Sequence, residues 1–565
     1  MVADRVLSVS ELAERAYEDT HRQFIEPVGW QRRAPRPSTS SRQPDAVSLA
    51  SRSRHASTRG AVARPPSLKA PRKRPPSVSA ATARRARSRT QSIRDLRSLI
   101  GESEADRSPL VLRSQELALE QFRRAAAIVP FYKRLLAARG IRPRHVDDIE
   151  TFRAVVPIIE KSDVFGSHQL GDLVVAGSLD DIETLITSSG LTASSFSLGM
   201  INRRGTQSMI RSTDRLLDHL FHTRDKKTFV INTCAMGVTI PTSLPGINLS
   251  VRSDKALALL KALKPYYRQF VVTSDVYFLK KLLEDGCSAG MRWSNWPVQF
   301  IMGGEWFPET YRQYLASLLH VDLNRPHPSI HILGSMGAAE LGFNLCFETH
   351  DVVRLRRLAA SDDRVREALF GPIETLPMIG HYDPRRWFVE VMPTQELGAN
   401  GGAFAFTTLD PDMAMPLVRY QTGDCGYILS HRRVSGILRA LHHEAYVPAL
   451  THPLIAVVGR TKQSLTVART TVRMEFLRTV LYSDPALAAT TTGQFNATTK
   501  GGRLRLRVQL QADVEPGLRA RIQAQWSSLF NRHFPAVVHA IPYFEFREAL
   551  SVDYERKFLH LMGGA

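Results

Sequence analysis

The chain has 565 residues, of which 43% are hydrophobic and 8% aromatic, and a formal net charge of +21. That length supports a sizeable core and more than one domain, and no apolar run approaches the roughly 20 residues needed to cross a bilayer, so no membrane span is expected. Cys234, Cys287, Cys346 and Cys425 are widely scattered with no CxxC pair, which argues against a disulfide framework or zinc ribbon and fits a reducing cytoplasm.

In chain order, "MVADRVLSVSELAERAYEDT" lacks the apolar core of a secretory signal, and residues 1–30 read as a short helical segment. Most of the net charge lies in the next segment. Residues 31–94 hold 17 Lys/Arg against the single acid Asp45. The stretch is rich in Ser, Pro and Ala and too poor in large apolar side chains to offset the entropy of folding, so 31–105 is expected to be a disordered basic tail. Such a tail can bind polyanions or acidic lipid, tether the preceding segment, or have no role. The remainder carries about +8, ordinary for its size, and no specific nucleic-acid function is expected.

Order is expected from residue 106. "SQELALEQFRRAAAIVPFYKRLLAARGI" reads as two helices separated at Pro130. "IETLITSSGLTASSFSLGM" is a β-branched run broken by a Ser/Thr/Gly loop. Between 205 and 300, helices alternate with the short apolar runs "KKTFVINTC", "RQFVVTS" and "VQFIMGG", the sign of a layered α/β sheet. "GAFAFTTLD" and "PLVRYQTGD" read as paired strands. The last hundred residues alternate strand, strand, helix and strand, a small α+β unit. The fold class is therefore α/β, with a large domain over 106–458 and a lid over 459–565.

Several segments together carry a resemblance. "VPFYKRLLAARGI" and "VVPIIEKSDV", then "TSSGLTAS", "GGEWFPETYRQYL", "LGSMGAAELG", "MPLVRYQTGD", "VVGRTK" and finally Lys557 follow one another in an order and spacing similar to the phenylacetate–CoA ligase-like branch of the adenylate-forming (acyl-CoA synthetase, AMP-binding) superfamily. The resemblance spans roughly residues 109–561 and implies ATP, Mg²⁺ and coenzyme A as ligands.

A carboxylate accepts hydrogen bonds from two vicinal hydroxyls at once, and the resemblance implies that Asp424 grips the ribose, presented by a close turn at Gly423. Read alone, Asp424 is equally an ordinary hairpin-turn aspartate. Arg460 resembles the arginine that contacts ribose or phosphate. "SSGLTAS" supplies Ser188, Ser189, Gly190 and Thr192 for a phosphate loop, although Ala193 and Ser194 stand where the family has a glycine and a lysine; a Ser/Thr-rich linker reads the same way. Glu305 is implied near adenine. In "GSMGAAE", Met336 replaces the stacking aromatic, Gly337 remains, Ala339 replaces a threonine, and Glu340 is the implied Mg²⁺ ligand; as a residue type it is also a helix-start glutamate.

Lys462 occupies the hinge about which the lid would rotate, and Lys557 resembles the lysine bridging the substrate carboxylate and the α-phosphate. Lys557 is otherwise one more C-terminal basic residue. The implied activity is ATP-dependent ligation of a small carboxylic acid, the acyl pocket lying around "TCAMGV" and "GGEWF" and suggesting an apolar or aromatic acid. The acceptor is coenzyme A, with a carrier protein or an amine as rivals. Loss of the loop lysine and the threonine also fits a non-catalytic nucleotide-binding protein.

Overall fold

The computed structural model describes residues 108–546 apart from 167, 188–196, 236, 395–396, 461–463 and 513. The segments expected over 1–105 lie outside the described residues. Ser108 accepts a hydrogen bond from the Val111 amide, and Pro109 occupies the first turn, so the helix Pro109–Ile128 begins there. Val129 is extended, as the residue before a proline prefers, and Pro130 opens the second helix, Pro130–Ala138. Phe122, Ala125, Phe131 and Tyr132 turn inward at helical spacing and dock on the large sheet, where the Tyr132 hydroxyl accepts from the Val418 amide at 2.8 Å.

The three apolar runs become the strands Thr228–Thr233, Gln269–Asp275 and Val298–Gly303, which pair in parallel with one another and with Ile332–Ala338. Phe270, Val271 and Val272 are fully buried, the continuous apolar pattern of a parallel strand covered on both faces. Among the described residues the sheet has 12 strands. From Ile332–Ala338 onward the successive pairings turn antiparallel, through Gly342–Phe347, Met378–His381, Leu454–Arg460, Tyr420–Leu429, Gly398–Thr408 and Trp387–Thr394, and the short strand Ile159–Glu160 adds in parallel to Tyr420–Leu429. The expected pair "GAFAFTTLD" and "PLVRYQTGD" is present, with Phe406 opposite Tyr420.

The C-terminal residues form the expected α+β unit. Strands Thr491–Lys500, Arg503–Leu510 and Ala536–Ile541 make a three-stranded sheet. Leu504, Leu506 and Val508 alternate inward against Ile522, Trp526 and Phe530, which recur every fourth residue of the helix Pro516–Asn531. Burial of each large side chain contributes roughly 1.5–3 kcal/mol.

This unit shares its core with the large body. One buried cluster runs from Phe270, Leu282 and Tyr311 into Leu477, Tyr482 and Phe495. The rings of Tyr311 and Tyr482 meet edge-on at 4.7 Å, Thr310 Oγ1 donates to the Thr479 carbonyl at 3.1 Å, and the buried Lys280 donates to Gln511 at 2.9 Å. No described helix is long and apolar enough to cross a membrane.

Candidate functional site

At the carboxyl ends of the parallel strands, and reaching to the Asp424 and Arg460 strands, lies a cavity of about 670 Å³. That end of a parallel sheet is where ligands bind in open α/β folds. Glu305, Met336, Gly337, Glu340, Asp424 and Arg460 all line it. Ser188, Ser189, Gly190, Thr192, Lys462 and Lys557 lie outside the described residues. Thr187 and Ser197, the described residues on either side of 188–196, both line the cavity.

Asp424 and Arg460 sit directly opposite each other on the antiparallel strands Tyr420–Leu429 and Leu454–Arg460. Arg460 Nε stands 3.5 Å from Asp424 Oδ1; the arginine side chain is 52% exposed and the aspartate 14%. Asp424 lies within a strand, not in a hairpin turn: Gly423, at φ 85, provides a local kink beside an irregular stretch of the ladder with Gly398–Thr408. A residue with a Cβ would be strained at that φ. The kink aims a carboxylate with free lone pairs into the cavity beside a half-exposed guanidinium.

Glu340 occupies the turn Ala339–Leu341 after the strand Ile332–Ala338 and is buried. Its Oε1 accepts from the Tyr420 hydroxyl and its Oε2 from Ser197 Oγ, both at 2.8 Å. Burial, reinforced by this carboxylate, pushes the Tyr420 phenol well above its usual pKa, so it remains a donor. The turn is held from below by Gly199, where a Cβ would stand 2.0 Å from the Ala339 carbonyl oxygen. Each Glu340 oxygen keeps a second lone pair. A Mg²⁺ brought in on phosphates draws most of its ligands from phosphate and water, so one or two protein carboxylates suffice; Glu340 fits that need. No cluster of three or more metal-ligating side chains exists among the described residues.

Met336 spans two cores, packing against both principal buried clusters. Its strand is fixed by a buried ion pair: Arg312 donates to both oxygens of Glu348, at 2.7 and 2.8 Å, and the Gly334 amide donates to Glu348 Oε2 at 2.6 Å.

Glu305 lines the cavity, but its carboxylate is engaged by Arg478, from the helix Met474–Leu481 of the C-terminal unit, and by the Tyr277 hydroxyl at 3.4 Å. Arg478 also donates to the Trp306 carbonyl at 2.7 Å. Burial works against the Arg478 charge, yet Tyr277, Glu305 and Glu475 around it hold its pKa above the ordinary value. One turn earlier on that helix, the buried Glu475 lines the cavity, and its Oε2 has no hydrogen-bond partner among the described residues. It presses on Gly459 (φ 147), where a Cβ would stand 2.3 Å from Glu475 Oε1. Burial, reinforced by Asp424, pushes its carboxyl up to about 7.

Sequence reasoning gave no role to Tyr420, Ser197, Glu475 or Arg478. Tyr420 was visible inside "LVRYQTGD", and Lys161, in "VVPIIEKSDV", also lines the cavity. Around the expected acyl pocket, Cys234, Val238 and Trp306 do line it, whereas Phe307 is buried in the core.

No protein-family model and no curated protein matches the chain. Among solved structures it resembles 2-hydroxyisobutyryl-CoA ligase in the postadenylation state, in complexes with R3-HIB-AMP and with 2-HIB-AMP. Each gives a TM-score of 0.56 at 14% identity, over 80% of this chain and 89% of that one. A structure from work on fatty acyl-adenylate ligases of E. coli and L. pneumophila matches over 68% of this chain and 69% of that one, at 14% identity and a TM-score of 0.42. With its mixed sheet and C-terminal α+β unit, the chain has the fold of the adenylate-forming ligases.

Proposed function

We propose that the chain is an AMP-forming, ATP-dependent acid–thiol ligase of the phenylacetate–CoA ligase-like kind. The observation that carries this reading is the meeting of Asp424, Arg460 and Glu340 in one cavity, although 84 positions separate Glu340 from Asp424 in the chain. Asp424 would accept from both ribose hydroxyls while Arg460 approaches the ribose or α-phosphate. Glu340 would be the protein ligand of the Mg²⁺ carried by ATP, which when bound neutralises phosphate charge. The backbone of Gly303, Gly304 and Glu305 would border adenine, with Met336 against its face.

The substrate carboxylate oxygen would form a bond to the α-phosphorus as the bond to pyrophosphate breaks, giving an acyl-adenylate. Lys557 would stabilise the charge developing on both groups. The sulfur of coenzyme A would then bond to the acyl carbon as AMP leaves and the thiol proton passes to solvent. Rotation about Lys462 between the two steps would first require the Arg478–Glu305 pair and the Tyr311–Tyr482 contact to part. The 2-hydroxyisobutyryl-CoA ligase complexes contain an acid joined to AMP, as this reading requires of the first step.

Radiolabelled pyrophosphate exchange into ATP, measured across a broad acid panel, tests the first step; trapping the product with coenzyme A, amino acids or a carrier protein identifies the acceptor. A second reading, a nucleotide-binding protein without turnover, is favoured by Ala339 in the Glu340 turn and by Ser194 in the sequence "SSGLTAS". It requires ATP binding without exchange for any acid.

A further inference from the structure

The end of the cavity away from Asp424 has a different character. Three strands separate the Arg460 strand from Val298–Gly303 in the sheet order, on the order of 15–20 Å at the usual strand spacing. There the helix Arg203–Phe221 presents Leu216, Leu217 and Leu220, the loop after Thr228–Thr233 presents Ile240, and two parallel strands supply Ile301 and Leu333. All six are aliphatic.

Most of the polar groups nearby are committed to the protein itself, with Thr213 of the same helix also lining the cavity. Asn232 uses its full capacity: its amide nitrogen donates to the Val238 carbonyl at 2.5 Å and to Asn248 at 2.8 Å, and its oxygen accepts from the Cys234 amide and Thr273 Oγ1. Asp214 accepts from Thr242 Oγ1 and from both the amide and hydroxyl of Ser243, clamping the Ile240 loop against the helix. Asp275 Oδ2 accepts from the Ala235 amide at 2.6 Å. Burial pushes the Cys234 thiol far above its usual pKa, so it stays neutral. A second carboxylate brought into this chamber would lose its water and face the Asp275 carboxylate, and a hydroxyl would lose its water where most polar groups are already bonded.

Resting on the ligase reading above, we propose that the acid activated here is aliphatic, with a hydrocarbon tail carrying no polar group, and that Leu216, Leu220 and Ile240 select it. The aromatic side chains that line the cavity, Trp306, Phe347 and Tyr420, belong to other segments than these six.

The test uses the full-length protein with octanoate, 8-hydroxyoctanoate, suberate and phenylacetate at equal concentration, read by pyrophosphate exchange and, without ATP, by thermal shift. Octanoate should drive exchange at least about tenfold faster than 8-hydroxyoctanoate and further still ahead of suberate. The half-buried substitutions Leu220→Asn and Ile240→Asn should each bring the octanoate to 8-hydroxyoctanoate ratio towards one. Exchange as fast with phenylacetate, 8-hydroxyoctanoate or suberate overturns the aliphatic assignment and leaves the ligase reading standing. If no acid drives exchange, the ligase reading falls, and the thermal shift decides the chamber alone. Stabilisation by octanoate but not suberate, lost in Leu220→Asn, upholds its preference; equal shifts or none overturn it.

Discussion

The hydroxyl of Tyr420 donates to Glu340 Oε1 across 2.8 Å, while Ser197 holds the other oxygen at the same distance. Three separate segments thus fix one buried carboxylate in a single orientation, leaving lone pairs directed elsewhere. Such a group is preorganised, and its value lies in not having to reorient when charge arrives.

If Glu340 is the Mg²⁺ ligand, Glu340→Gln should lower kcat for adenylation on the order of a hundredfold and raise the Mg²⁺ concentration giving half-maximal exchange. Tyr420→Phe should act in the same direction more weakly. It should also cost about 1 kcal/mol of stability, because one buried oxygen loses its donor. Exchange titrated with MgCl₂, together with urea unfolding, separates the two effects.

Asp424→Ala should raise KM for ATP about 10–100-fold, the worth of hydrogen bonds to a charged group, with little change in unfolding midpoint. In that variant the preference for ATP over 2′-deoxy-ATP should shrink. Arg460→Ala should have a smaller effect, since its side chain is half exposed and screened by solvent. Initial rates with the two nucleotides test both substitutions.

Gly199→Ala would bring a methyl carbon to 2.0 Å from the Ala339 carbonyl oxygen, so either the strand Leu198–Asn202 or the Glu340 turn must move. The expected cost is roughly 1–3 kcal/mol by urea unfolding, with a loss of exchange activity that raised Mg²⁺ restores only in part.

Glu475 gives a pH signature. Burial raises its carboxyl from 4.5 to about 7 in the folded chain, so between those values the folded state holds a proton that the unfolded state has released. Stability therefore falls as pH rises through that window and levels off above it. Asp424, Arg473 and Arg478 face the group and set its field. Glu475→Gln should match the native protein near pH 4.5 and exceed it by up to about 3 kcal/mol above pH 7. Thermal midpoints of the two proteins across pH 4.5–8 measure the difference.

That Asp424, Arg460 and Glu340 meet in one cavity is foreshadowed in the sequence, because each sits in a short segment whose order along the chain is informative. The parallel strands are legible because Phe270, Val271 and Val272 form an unbroken apolar run between helical patterns. What is not legible is pairing between distant segments. Periodicity marks the inward face of Met474–Leu481 but not that Arg478 would meet Glu305, nor that Tyr482 would pack on Tyr311 and join the C-terminal unit to the large core. Gly423 signals a backbone kink in either setting, so a turn and an irregular strand cannot be told apart until the strand's partners on both sides are known.

Pyrophosphate exchange in the native protein and in Lys557→Ala is the most direct measurement of the proposed adenylation. Exchange should depend on added acid and be abolished by the substitution, with ATP binding retained. Exchange unchanged in Lys557→Ala, or none in the native protein with any acid of a broad panel, would contradict it.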